Sequence, residues 1–204
     1  MNTDDARAWV DRFIAAVRQR SDELTELDRQ AGDGDFGTNL TSAVQRAETN
    51  LAAASPSAPH EVFLALANAF LHTGGTSGPL FGMWFREFAK RINGEVTTAT
   101  LSIAADNAAT AVRRLGNADV GHKTMVDAMV PAAEALSAAA ARHDDVNAAL
   151  KAAAAAAHAG AISTADLLAK RGRASYVGEH ARGVIDPGAL TIAWFFDLAT
   201  TSAT

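Results

Sequence analysis

The sequence predicts an all-α fold, an antiparallel up-and-down bundle of about eight helices. Three observations carry that expectation. Alanine supplies much of a composition that is 49% hydrophobic and only 6% aromatic, which suits closely packed helices. Apolar residues recur at spacings of three and four, and no stretch reads convincingly as a strand. The segments between these patterns are mostly short and rich in Gly, Pro, Asn and Ser, which favours antiparallel neighbours.

The elements follow in order. Thr3 is the expected cap of a first helix, with Asp4 and Asp5 in its first turn, where carboxylates favour the dipole. Trp9, Phe13, Ile14 and Val17 mark its apolar face. Ser21, Leu24 and Leu27 indicate a restart or a continuation to about Asp28. After an acidic loop, Thr38 is the expected cap of a second helix that runs toward Ala54, and Ser55 to Pro59 is a turn. A third helix spans roughly His60 to His72, and the flexible loop Thr73 to Pro79 follows it. A fourth, Leu80 to Arg91, carries Phe81, Trp84, Phe85 and Phe88. Asn93-Gly94 turns the chain into a fifth helix, about Thr97 to Leu115. The loop Gly116 to Lys123 precedes a sixth with Met125, Val126, Met129 and Leu136, which Pro131 should kink. A seventh, the most alanine-rich, runs from near Asp144 to Lys170. Arg171 to Pro187 is a long loop, and a last helix carries Leu190, Ile192, Trp194, Phe195 and Leu198. Residues 1–204 are expected to form one domain with a full core. Alternate loops of such a bundle gather at one end, so the acidic loop and the Gly116 loop can share a site there.

Composition excludes several classes. The net charge of −5 argues against direct nucleic-acid binding, which needs a basic face. The absence of Cys excludes disulfides and thiolate metal sites. Met1 to Asp5 lacks the basic and apolar regions of a signal peptide. Apart from weak alanine tracts, no apolar stretch is long enough to span a membrane. A cytoplasmic protein is expected.

The sharpest chemical signal is the stretch from Leu27 to Asn39. Asp33-Gly34-Asp35 sits in a loop whose central glycine lets both carboxylates turn toward one point, with Asp28 available as a third. All-oxygen ligands without His or Cys suit Mg²⁺ or Ca²⁺. An EF-hand fails on spacing, because Thr38 stands where that loop needs Gly and Val44 where it needs Glu. Gly37, Thr38 and Asn39 open a helix, where free amides and the dipole can meet phosphate. The same residues also make an ordinary capped turn with solvated carboxylates. Gly74-Gly75-Thr76-Ser77-Gly78 reads as a second phosphate-cradling loop, or simply as a Gly/Ser turn. Gly116 to Thr124 imitates a Walker A loop with one residue too many before Lys123, and it follows a helix, so that reading is rejected, which leaves Lys123 and Thr124 to cap the sixth helix or line a site. Arg173 and Asp186-Pro187-Gly188 lie in a loop too long to be a mere connector. His72, His158 and Trp194 read as packing or surface residues.

Together these loops resemble those of the nucleotide-binding L subunit of dihydroxyacetone kinases. The resemblance spans nearly the whole chain. It rests on Leu27-Asp28, Gly32-Asp33-Gly34-Asp35, Gly37-Thr38-Asn39, Gly74 to Leu80, Lys123 to Ala128, Gly172 to Tyr176 and Asp186 to Ala189. It implies an antiparallel eight-helix barrel with ADP or ATP and two Mg²⁺ at one end. Asp28, Asp33 and Asp35 would hold the metals. Phe36, Gly37, Thr38, Asn39, Thr76 and Ser77 would contact phosphates, and Gly116 and Met125 would border the base. Arg173 and Asp186, Pro187 and Gly188 would close over the nucleotide. The resemblance further implies a separate sugar-binding K subunit, a phosphotransferase-system phosphocarrier as a possible donor to bound ADP, and a homodimer or a hetero-oligomer with K. It leaves open an ATP-dependent kinase for another short ketose and an ADP-holding regulatory module. Two positions depart from the family pattern: Phe36 stands where His is usual, and His122 where Asp is frequent.

Overall fold

The computed structural model describes residues 1–75 and 77–200, which are helical with no strand among them. In chain order the helices are α1 (Thr3–Gln19), α2 (Ser21–Ala31), α3 (Phe36–Ala54), α4 (Pro59–Leu71) and α5 (Ser77–Arg91). There follow α6 (Thr98–Gly116), α7 (Val126–Ala141), α8 (Val146–Ser163), the single turn α9 (Ala174–Val177) and α10 (Pro187–Thr200). Eight of them, α1, α3 to α8 and α10, pack side by side in that order, and α10 returns against α1 to close a ring. Short connections from α3 through α8 make those successive neighbours alternate in direction. The chain is therefore the expected eight-helix barrel, with α2 laid against α3 at one end.

Helix starts depart from expectation by a few residues, each for a local reason. Asn2, not Thr3, caps α1: its Oδ1 accepts from the Asp5 amide at 2.9 Å, and Asp5 Oδ2 accepts from the Asn2 amide at 2.9 Å. Thr3 instead donates its hydroxyl to Ser57 O. The chain breaks at Arg20 and restarts as α2, the first of the two options at Ser21. Thr38 does not cap α3, which already starts at Phe36, with Asp35 at the capping position. Pro59 opens α4, where a missing amide is harmless. Thr97 caps α6 by accepting from the Thr100 amide, and α7 runs unbroken through Pro131.

The barrel interior has two textures. On the side of α1, α4, α5 and α10, Trp9, Phe13, Phe63, Phe70, Trp84, Phe85, Phe88 and Phe195 form a continuous ring cluster. The Trp9 indole N–H donates to Phe195 O at 2.6 Å, which locks α1 to α10. On the side of α6, α7 and α8 the buried residues are mostly alanine, so backbones approach closely. A Cβ on Gly160 would lie 2.0 Å from Asp127 O, so only glycine allows this α7–α8 contact.

The alanine-rich helix ends at Ser163, well short of Lys170. A 3-10 turn, Thr164–Asp166, follows, and the cause is Thr164. Its hydroxyl donates back to Ala161 O at 2.6 Å and accepts from the Asp186 amide at 2.8 Å, while its carbonyl accepts from Lys123. These claims divert the backbone from the helix ladder. The long loop after it carries α9 and a second 3-10 turn, Gly178–Ala181. Among the described residues no helix is long and apolar enough to cross a membrane.

Candidate functional site

Asp28 stands in the last turn of α2, and the chain then folds back through Gly32 and Gly34. A Cβ on Gly32 would fall 2.4 Å from Asp28 Oδ1, and Gly34 has φ +76°. Gly34 therefore needs glycine, and any side chain at Gly32 would push the Asp28 carboxylate aside. The turn brings one carboxylate oxygen each from Asp28, Asp33 and Asp35 within 4.8 Å of one another. The Phe36 amide donates to Asp28 Oδ2 at 3.1 Å and fixes that carboxylate. Three hard oxygen donors converging on one point are a donor set for Mg²⁺ or Ca²⁺. Arg173, from the loop before α9, pairs with Asp33 and reaches Asp35 at 3.6 Å, offsetting part of the clustered charge.

Beside this acidic wall a pocket opens between the helix ends. Phe36 and Asn39 line it from α3, but the Phe36 ring is buried against Phe81, centroids 6.4 Å apart. Gly37 is turned away: a Cβ there would come 2.2 Å from Ser21 O, so this glycine seats α3 on α2. Thr38 is exposed and outside the lining. Gly75, with φ +80°, and Ser77 line the pocket, and Thr76 lies outside the described residues. Gly116 and Met125 line the far side together with Leu80, Val112 and Val126, which makes an apolar slot between α5, α6 and α7.

Asp186, Pro187 and Gly188 form the remaining rim. Asp186 caps α10 by accepting from the Ala189 amide at 2.7 Å. Burial pushes its carboxyl up to about 7; Asp127 and Asp28 push the same way, while the Ala189 hydrogen bond and Lys123 oppose them. Lys123 is 2% exposed and donates to Thr164 O and Val184 O. Burial lowers its pKa, against the raising influence of Asp186, Asp127 and Asp166. Asp127 is also buried and accepts from the Gly121 and Thr124 amides at 2.5 and 2.7 Å, shaping the turn into α7.

The structure thus brings together Asp28, Asp33, Asp35, Phe36, Asn39, Ser77, Gly116, Met125, Arg173, Asp186, Pro187 and Gly188. It leaves Gly37 and Thr38 outside the lining. Sequence reasoning missed Arg171, whose Nε donates to Asn117 O at the end of α6 and which lines the pocket. It also missed Leu80 and Val112, whose helical spacing is indistinguishable from that of core residues. An acidic pole, hydroxyl donors, an arginine and an apolar slot suit a molecule with a polyphosphate at one end and a flat apolar group at the other.

Comparison with known proteins agrees with this arrangement. A family model described as the DAK2 domain matches residues 30–201. The chain belongs to the DAK2 domain family. This DAK2 domain is 31% identical over 195 residues to the ADP-binding subunit DhaL of a PEP-dependent dihydroxyacetone kinase of Listeria innocua, covering 95% of this chain and 93% of that subunit. It is 34% identical over 193 residues to a D-erythrulose kinase of Mycolicibacterium smegmatis, covering 92% of this chain and 33% of that enzyme. The dihydroxyacetone kinase of C. freundii, solved in complex with AMP-PNP and Mg²⁺, superposes on it with a TM-score of 0.71 at 26% identity. That match covers 96% of this chain and 33% of the other.

Proposed function

We propose that this DAK2 domain is the Mg-nucleotide-binding subunit of a dihydroxyacetone kinase. The observation that carries the reading is the convergence of Asp28, Asp33 and Asp35 within 4.8 Å at one end of a pocket whose other end is apolar. The similarity to a DhaL subunit over nearly its whole length and to a kinase solved with AMP-PNP and Mg²⁺ supports it.

In this reading the three carboxylates hold two Mg²⁺ ions. Asn39 at the start of α3, with Ser77 at the start of α5, meets the phosphates through its polar side chain, beside the free amides of the helix end. Leu80, Val112, Gly116 and Met125 receive the base. Arg173 turns its fork of donors to the transferring group, and Asp186, Pro187 and Gly188 close the rim. When bound, the cations would neutralise the phosphate oxygens and align the transferring group. The chain itself supplies positioning: it fixes the metal ligands, excludes water from the apolar slot and leaves the phosphate end open to a partner. The acceptor, dihydroxyacetone, is held by a separate K subunit, and the pair assembles as a hetero-oligomer or around a homodimer of this chain. The donor is ATP, or a phosphocarrier of the phosphotransferase system that rephosphorylates bound ADP. The protein works in the cytoplasm, away from membrane and nucleic acid. A second reading, an ATP-dependent kinase acting on another short ketose, draws on the 34% identity to a D-erythrulose kinase.

Native mass spectrometry of the purified protein tests the core of the proposal. ADP or ATP with divalent metal is expected, removable by a chelator. Neither being found, even after Mg-nucleotide is added, defeats it. A transfer assay with a K-type subunit, run with ATP and separately with a phosphorylated carrier across several ketoses, then separates the two readings.

A further inference from the structure

Lys123 is the residue the nucleotide reading does not use and the fold does not explain. It is 2% exposed, and its backbone sits at φ +58°, in the left-handed region that side chains avoid. Its ammonium donates to Thr164 O, where α8 exits, and to Val184 O, just before Asp186. The same two limbs are stitched by Gly183 N to Ala165 O and Asp186 N to Thr164 Oγ1, each 2.8 Å. On the outgoing limb, Lys170 N donates to His122 O at 3.1 Å, beside Lys123 in the chain. The loop that carries Arg173 therefore has both roots in one place, and Lys123 sits at the seam. α8 and α10 already pack directly on each other, so the barrel closes without this lysine. Burying an ammonium is unfavourable unless it is hydrogen-bonded and paired. Here its partners are the two roots of the loop.

We propose that Lys123 is a positioning residue for phosphoryl transfer: it fastens both roots of the 167–184 loop so that Arg173 faces Asp33 and Asp35. This rests on the Mg-nucleotide reading. Lys123 borders the pocket, but its ammonium is turned to the Thr164 and Val184 carbonyls, so the lysine contributes through Arg173. An apolar residue would fill the space but leave the Val184 carbonyl without its donor, reduce the Thr164 carbonyl to its bond from the Leu167 amide, and leave the loop free to swing.

The test follows dissociation of a fluorescent ADP analogue in excess Mg²⁺, using the whole chain. Lys123→Met should speed dissociation about 10- to 100-fold, as loss of supporting partners does around metal sites. Lys123→Arg should recover part of the loss. In an Arg173→Ala background, Lys123→Met should add less than about threefold, because two residues acting through one contact are not additive. A role confined to stability would lower the melting temperature but leave the two effects multiplicative, and that result overturns the proposal. If Lys123→Met does not fold, Gly183→Ala perturbs the same seam from outside. Gly183 has φ +88°, and no atom lies within 4 Å of an added Cβ, so only the backbone there is disturbed. Dissociation from Gly183→Ala at the wild-type rate also overturns the proposal. Wild-type protein that fails to bind Mg-ADP defeats the nucleotide reading and this inference with it. Wild-type binding with an unaffected Lys123→Met defeats the inference alone.

Discussion

The two walls of the pocket are both charged, yet they are built in opposite ways. The acidic wall comes from one short stretch, Asp28 to Asn39, and its key side chains stay open to solvent, Asp33 at 37% and Asp35 at 48% exposure. The opposite wall presents Lys123 and Asp186, backed by Asp127, Thr164 and Val184 from distant parts of the chain, and most of these are buried. Exposed charges add little to folding, because solvent screens their partners. Buried ones must be satisfied within the fold, since an unpaired one is costly. The difference teaches a division of labour. The acidic wall keeps its valences for a ligand, while the opposite wall spends its own on shape.

Breaking the acidic wall should therefore cost binding and not fold. Asp33→Ala or Asp35→Ala is expected to weaken Mg-nucleotide retention by more than about 100-fold, since a charged partner in a metal site is lost. Helix content by circular dichroism should be unchanged. The melting temperature should move little, because the Arg173 pairs are about half exposed. Retained binding in both variants would dissolve the contrast between the walls.

The seat beneath that wall should behave in the opposite sense. Gly37→Ala places a Cβ 2.2 Å from Ser21 O and 2.3 Å from Thr25 Oγ1, so α2 must shift from α3. Destabilisation of about 3 kcal/mol is expected from overpacking against backbone. Urea unfolding followed by circular dichroism measures it. A stability within about 0.5 kcal/mol of wild type would show that α2 is not held there.

How far each wall was legible in the sequence follows from the same contrast. Asp28, Asp33 and Asp35 were readable because their chemistry is contiguous and the intervening glycines mark the turn. The helices were readable from apolar spacing, and short turns placed them in ring order. The cap at Asn2 was not, because Asn2 and Thr3 are both good caps and the choice was made by Ser57 O, far along the chain. The end of α8 was not, because no breaker follows Ser163; Lys123 and the Asp186 amide terminate it through Thr164. Gly116 and Met125 entered through the family resemblance; Leu80 closed the Gly74 to Leu80 motif without a role of its own, and Val112 and Arg171 carried no local mark at all. Long-range partners are what a single sequence conceals.

Asp186 lets the buried wall be read by pH. Its carboxyl, pushed up to about 7 mainly by burial, holds a proton in the folded chain that the unfolded chain releases near its ordinary value. Folding is thus favoured by this group at acid pH, and the contribution fades as pH rises from about 4 to about 7. Asp186→Asn can still accept from the Ala189 amide and cannot ionise. Its stability relative to wild type should therefore rise across that window, by about 2 kcal/mol once screening at its half-buried position is allowed for. Urea titrations at several pH values check it. A difference that stays flat with pH would place Asp186 with the exposed carboxylates and blur the distinction between the walls.

The smallest expected effect concerns Phe36, where the two walls' rules meet in one residue. Its amide serves the site by donating to Asp28, while its ring serves the core against Phe81 and is only 7% exposed. The family resemblance places His here, whose ring can offer a donor. In this chain the backbone already supplies the contact to Asp28, and the ring is turned inward. Phe36→His should therefore change Mg-nucleotide affinity by less than about threefold, under 1 kcal/mol. Stability should fall by about 1–2 kcal/mol as a polar ring replaces an apolar one in the core. A fluorescent-nucleotide titration alongside a thermal melt measures both. If affinity instead rises more than tenfold, the side chain at this position reaches the phosphates, and the acidic wall extends one residue further into α3 than its backbone contact implies.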